Sequence, residues 1–142
     1  MTSKGRFQVT KELHFCYGHR LLDYDGKCKH PHGHNGKASI GLAASKLDQR
    51  GMVIDFNDIK EVIQKWIDLE LDHKMLLRRD DPLARTLTKM NEPVFLMDGN
   101  PTAENIAKLI FKYAQKKGLP VSSVQFWETP SSSAIYREGE NL

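Results

Sequence analysis

Five of the six histidines in this 142-residue chain, His14, His19, His30, His32 and His34, fall within 21 consecutive positions. Imidazole is the commonest metal ligand among side chains, and it binds in its neutral form. His32-Gly33-His34 places two imidazoles on one side of an extended segment, because side chains at i and i+2 share a face. His19 ends a strand-like pattern, and it supplies a third nitrogen if the next strand lies antiparallel beside the first. Three histidines and an open fourth position are the donor set of a catalytic zinc rather than a structural one. The competing reading is a solvated, histidine-rich turn, since His-x-His alone is a weak motif.

Cys28 lies four residues before His32 on the same loop, and four readings compete for it. It is a buried inert thiol, a fourth zinc ligand closing a structural site, a catalytic thiolate, or there by chance. The polar run Gly26-Lys27-Cys28-Lys29-His30 argues against burial, and its lysines favour the thiolate. Cys16 stands in an apolar strand and reads as a small packing residue. Asp72-His73 is by itself an ordinary helix end. With Cys28 it becomes a Cys, His, Asp set in which a carboxylate orients a proton-shuttling imidazole. Glu104 in a first helical turn is favourable dipole chemistry. Glu128 ends an apolar strand, where a carboxylate either meets water or grips the amidine-like edge of a heterocycle with two parallel hydrogen bonds.

The elements that must position these groups follow from periodicity. Phe7, Val9, Leu13 and Phe15 alternate with polar residues, as do Ala38, Ile40, Leu42 and Ala44, and both patterns predict half-buried strands. Leu21 to Gly36 between them reads as a long working loop. Phe56, Ile59, Val62, Ile63, Trp66 and Ile67 mark one helix, capped by Asp55 or Asn57. A second has Asn100 as its cap, Pro101 at its first position, a stripe of Ile106, Leu109, Ile110, Tyr113 and Ala114, and a stop at Gly118-Leu119-Pro120. Val121 to Trp127 and Ser133 to Tyr136 predict a last strand pair across Thr129-Pro130-Ser131. The expected class is α+β: a four-stranded antiparallel sheet in the order ββααββ, with two helices on one face. Two exposed sheet edges in so small a domain predict a symmetric oligomer.

Composition narrows the function further. Hydrophobic residues at 39% exclude intrinsic disorder, and no linker or repeat divides residues 1–142, so a single domain is expected. Lys plus Arg number 21 and Asp plus Glu 18, a net +3, which is far below the charge of an obligate nucleic-acid binder. The longest apolar runs, such as Val94 to Met97, are too short to cross a bilayer, and MTSKGRF lacks the apolar core of a signal peptide. The expectation is a soluble, cytoplasmic protein with no membrane or nucleic-acid partner. Two cysteines build no disulfide framework.

Taken together, the pieces from about residue 7 to residue 137 resemble the 6-pyruvoyl-tetrahydropterin synthase and 6-carboxy-tetrahydropterin synthase family. They are His19-Arg20-Leu21, Gly26-Lys27-Cys28, His32-Gly33-His34-Asn35, Gly51-Met52-Val53-Ile54-Asp55-Phe56, Leu71-Asp72-His73, Pro101-Thr102-Ala103-Glu104-Asn105 and Trp127-Glu128-Thr129. The resemblance implies the tunnelling fold, in which trimers close their sheets into a barrel and two trimers stack into a hexamer with active sites between subunits. It assigns Zn2+ to His19, His32 and His34, the thiolate base to Cys28, and the proton relay to His73 with Asp72. It assigns the pterin anchor to Glu128, with Thr102, Glu104 and Thr129 lining the ring pocket.

The substrate so implied is 7,8-dihydroneopterin triphosphate. Three residues separate Cys28 from His32, a spacing similar to that of the 6-carboxy-tetrahydropterin synthases of the queuosine and 7-deazaguanine route. These are carbon-carbon lyases that release acetaldehyde and triphosphate. The alternative is the pyruvoyl-forming synthase of the biopterin type, a carbon-oxygen lyase with a longer interval. Rivals from other classes are a non-catalytic zinc-binding module and an RNA-binding module using the basic loop. Three positions depart from the family pattern. Gly36 stands where an aromatic residue commonly follows His-Gly-His-Asn, and Cys16 and Tyr17 stand where small residues are usual. They put the shape of the metal pocket in question, and leave open contact between Cys16 and the metal.

Overall fold

The alternation begun at Phe7 runs on past its last apolar residue. In the computed structural model, which describes residues 5–139, β1 spans Phe7–His19 and β2 spans His32–Ala44. They pair antiparallel over their whole length, from Phe7 opposite Ala44 to His19 opposite His32. The expected loop therefore shrinks to residues 20–31. It is closed by the Leu21 amide donating to the Cys28 carbonyl at 2.9 Å, and by a single 3-10 turn over Lys27–Lys29. β5 (Val121–Thr129) lies antiparallel beside β2, and β6 (Ser132–Arg137) folds back along β5.

The four-stranded antiparallel sheet is not what forms. The sheet is mixed and has six strands in the order β4-β3-β1-β2-β5-β6. β3 (Lys74–Arg78) lies parallel to β1, and β4 (Val94–Met97) lies parallel to β3. The order ββααββ expands because β3, a further helix and β4 stand between the two expected helices. Both added strands are short, with no period-two alternation, and a four-residue apolar run is ambiguous by periodicity. Val94 to Met97, too short to span a membrane, is an edge strand.

The first expected helix is α1 (Phe56–Ile59), a π-helical segment (Lys60–Gln64) and α2 (Lys65–Glu70), running end to end. Asp55 caps it, accepting from the Asn57 amide at 2.8 Å. α3 (Pro82–Lys89) joins β3 to β4, as a parallel connection requires a crossover, and α4 (Ala103–Lys116) precedes β5. The core forms where Leu13, Phe15, Ile40, Val124 and Phe126 of the sheet meet Ile59, Ile63 and Ile67 and the α4 stripe of Ile106, Ile110, Phe111 and Ala114. Gly118, at φ +82°, ends α4 in the left-handed conformation that glycine adopts without steric cost.

The start of α4 corrects the expected cap. Thr102 is the N-cap, accepting from the Asn105 amide at 3.2 Å, and the helix begins at Ala103. Asn100 instead clamps the loop after β1: its Oδ1 accepts from the Leu22 amide at 2.9 Å and its Nδ2 donates to the Leu22 carbonyl at 2.8 Å. A side chain that reaches a backbone 78 residues away does not cap its own helix.

Candidate metal centre and active site

His19 and His32 are directly opposed across the β1–β2 ladder, and His34 follows two residues on, so all three imidazoles project from one end of the sheet on its core face. One ring nitrogen from each lies within 4.8 Å of the others. Backbone carbonyls, which only accept, fix two of the tautomers. His19 Nδ1 donates to Pro101 O at 2.7 Å, and His32 Nδ1 donates to His30 O at 2.7 Å. The Nε2 atoms of both rings therefore carry lone pairs, and they face each other at 3.0 Å. His34 Nε2 is buried with no hydrogen-bond partner among the described residues. Burial, with the neighbouring rings of His32 and His34, holds His19 down to about 4, and burial followed by His32 lowers His34. Burial thus favours the neutral forms of His19 and His34, and the three rings converge on one point.

Asp72 and His73 form a second constellation. The helix ends at Leu71, and His73 takes a left-handed φ of 60°. That turn is clamped to β1 on both sides: the Cys16 amide donates to Asp72 Oδ1 at 2.9 Å, and the His73 amide donates to Cys16 O at 2.7 Å. His73 Nδ1 donates to Asp72 Oδ2 at 2.8 Å, leaving Nε2 on a side chain that is 78% exposed. An open cavity of about 740 Å³ borders His73, lined also by Cys16, Gly18, Gly33, Asn35, Met75 and Pro93, with His32 and His34 on its wall.

The two cysteines fall in different places. Cys28 is half-buried on the 3-10 turn and is not among the residues lining the His73 cavity. Cys16, expected as a packing residue, is exposed, with its Sγ donating to Asn35 Oδ1 at 3.5 Å. Strand parity decides this: Leu13, Phe15, Tyr17 and His19 point inward, so Cys16 points to the opposite face, away from the imidazoles.

Glu128, next to the end of β5, is half-buried, and burial raises its pKa while His32 opposes and Glu104 adds to the rise. Glu128 thus lies within electrostatic reach of the imidazole cluster and of exposed Glu104. Thr102 is the cap described above, and Thr129 is exposed at the strand end. Of the basic residues near the loop, Arg20 is committed to a pair with buried Asp81, its Nε donating to Oδ2 at 2.8 Å, whereas Lys27, Lys29 and His30 are exposed.

The sequence pattern gives Asn100 and Pro101 helix-start roles only, whereas Asn100 holds the loop and Pro101 orients His19; it marks Tyr17 as a departure at the metal pocket without giving it a role. Tyr17 is 3% exposed, and its ring meets His19 edge-on with centroids 5.2 Å apart. Burial first, then Glu128, pushes its phenol well above the usual tyrosine value. Its inward place was legible from the alternation ending at Phe15.

An α+β fold with a mixed sheet and a three-imidazole cluster at one end of its longest strand pair defines a class of scaffold whose cluster could hold a metal ion. Within that class, the family described as 6-pyruvoyl tetrahydropterin synthase matches residues 8–139, and the chain belongs to this family. It is 36% identical over 131 residues to the 6-carboxy-5,6,7,8-tetrahydropterin synthase of Rickettsia conorii, covering 87% of this chain and 95% of that one. Among solved structures, an uncharacterized protein of Wolinella succinogenes superposes with a TM-score of 0.80 at 30% identity, over 94% of this chain and 99% of that one. The 6-pyruvoyl tetrahydropterin synthase of Plasmodium vivax gives 0.74 at 20% identity, over 96% of this chain and 99% of that one, a likeness of fold alone. The architecture is the tunnelling fold of this family.

Proposed function

We propose that the chain is a zinc-dependent 6-carboxy-5,6,7,8-tetrahydropterin synthase, a cytoplasmic carbon-carbon lyase acting on 7,8-dihydroneopterin triphosphate with release of acetaldehyde and triphosphate. The observation that carries the reading is the pair of Nε2 atoms of His19 and His32 facing each other at 3.0 Å beside the orphaned His34 Nε2. Lone pairs so placed repel unless a cation stands among them, and three neutral imidazoles suit zinc. The relative named as a 6-carboxy synthase and the three-residue interval between Cys28 and His32 support the carboxy branch.

His19, His32 and His34 hold the metal, and the carbonyls of Pro101 and His30 fix the orientation of the first two. When bound, zinc acts as a Lewis acid toward the side-chain hydroxyls of the pterin and acidifies the neighbouring carbon-bound proton. Cys28, flanked by Lys27 and Lys29, is the thiolate that takes that proton. His73 returns protons elsewhere on the side chain through Nε2, with Asp72 fixing the tautomer. Glu128 anchors the pterin ring through two parallel hydrogen bonds, with Thr102, Glu104 and Thr129 around it. Cys28 and the exposed His73 meet across a subunit boundary, in a hexamer made of two trimers.

The deciding experiment loads the protein with zinc, adds 7,8-dihydroneopterin triphosphate and identifies the products by mass. A one-carbon carboxylate substituent with acetaldehyde supports the proposal, a three-carbon side chain marks the pyruvoyl synthase, and unchanged substrate sinks both. Zinc-sulfur scattering in X-ray absorption would instead mark a closed, non-catalytic zinc site.

A further inference from the structure

Tyr17 packs against the histidine cluster with its polar end unanswered. Its ring is held by Phe15 and Phe126, with centroids 5.4 and 5.7 Å away, and it lies 5.2 Å from His19 and 5.7 Å from His34. Its hydroxyl is fully buried and, like His34 Nε2, has no hydrogen-bond partner among the described residues. A buried hydroxyl without a partner is a destabilising feature, retained where a ligand completes it. The chain also keeps room for the ring. A Cβ at Gly36 would fall 3.0 Å from Tyr17 Cε1 and 2.5 Å from Phe126 Cζ, so a side chain there would displace one of them.

A metal ion satisfies His34 and leaves Tyr17 as it was, because a cation and a phenol O–H both seek lone pairs. An oxygen atom held next to the ion satisfies both. We propose that the Tyr17 hydroxyl is a positioning donor of this site, giving its hydrogen bond to an oxygen held at the open side of the His19, His32 and His34 cluster. That oxygen is water when the metal alone is present and a side-chain hydroxyl of the pterin when substrate is bound. The inference rests on the metal-centre reading above. Its electrostatic setting agrees, since the Glu128 carboxylate acts on the same hydroxyl and would draw the pterin ring toward it.

Tyr17→Phe removes the oxygen and keeps the ring. In the metal-free, full-length protein the variant should melt at or above the wild-type temperature, since it loses only an unpartnered hydroxyl. Its zinc affinity, read by competition with a chromophoric chelator, should fall about tenfold, the size of effect seen when a group supporting a metal site is lost. With zinc loaded, its affinity for dihydroneopterin should also fall about tenfold. Equal zinc affinity in the two proteins, zero included, overturns the proposal, and so does a metal-free variant that melts lower, which would reveal a partner within the protein. Equal pterin affinity overturns its substrate half. If wild-type protein binds zinc but no pterin while the two zinc affinities differ, the pterin reading fails and the role of Tyr17 stands.

Discussion

Burial, and after it the neighbouring imidazoles, make the metal-free cluster a place where added protons are costly. His19 shows the sign. Its folded value of about 4 lies below the ordinary 6.5, so between those values the native state binds fewer protons than the unfolded chain. Stability of the metal-free protein should therefore fall as pH drops from about 6.5 to about 4 and level off below. Urea midpoints measured across that range check it, and a flat profile would contradict a neutral cluster. Single substitutions separate the roles: His32→Ala should lose zinc, measured by metal analysis. Cys28→Ala should retain zinc and oligomer while turnover falls by about 10²-fold or more. Normal turnover in the Cys28 variant would remove the thiolate from the mechanism. The triad was legible because i and i+2 spacing sets a shared face in any strand. Cys16 was misjudged because residue type suggested burial, whereas the parity of β1 turned it outward.

Among the elements, the loop after β1 depends on contacts from distant segments. Arg20, the residue after β1, pairs with Asp81, the buried N-cap of α3, which also accepts from the Leu83 amide at 2.8 Å. Arg20→Ala would leave that carboxylate buried without its cation. We expect a loss of about 2–4 kcal/mol, measured by chemical denaturation, with weaker zinc binding as the end of β1 loosens. Unchanged stability would mean that water replaces the guanidinium. The strands β1, β2, β5 and β6 and the two long helices were readable because their amphipathic period repeats over several residues. β3, β4 and α3 were not, for two physical reasons. β3, lying between two neighbours, needs no alternation and β4 has only four residues in which to show one, and the pairing of both depends on crossovers rather than on local turns. Asn100 was read as a local cap because its hydrogen bonds to Leu22 are set by tertiary packing, which no window of sequence contains.

At the scale of the domain, the sheet ends in two edges left unpaired among the described residues, β4 and β6, each with a large apolar side chain in the open: Leu96 at 36% exposure and Ile135 at 48%. Natural sheets cover such edges or charge them. Sedimentation should give three or six times the protomer mass, and Ile135→Lys should shift the protein toward the monomer; a wild-type monomer at micromolar concentration would refute assembly through these edges. A last consequence lies in the ladder that puts His19 opposite His32. Slipping β2 by one residue against β1 would turn His32 and His34 to the other face of the sheet, leaving His19 alone. A metal that needs all three rings binds only the correctly registered hairpin and stabilises it in proportion to its concentration over its dissociation constant. A metal bound there would thereby act as a proofreader of folding, rewarding one alignment of the two longest strands and none of its neighbours.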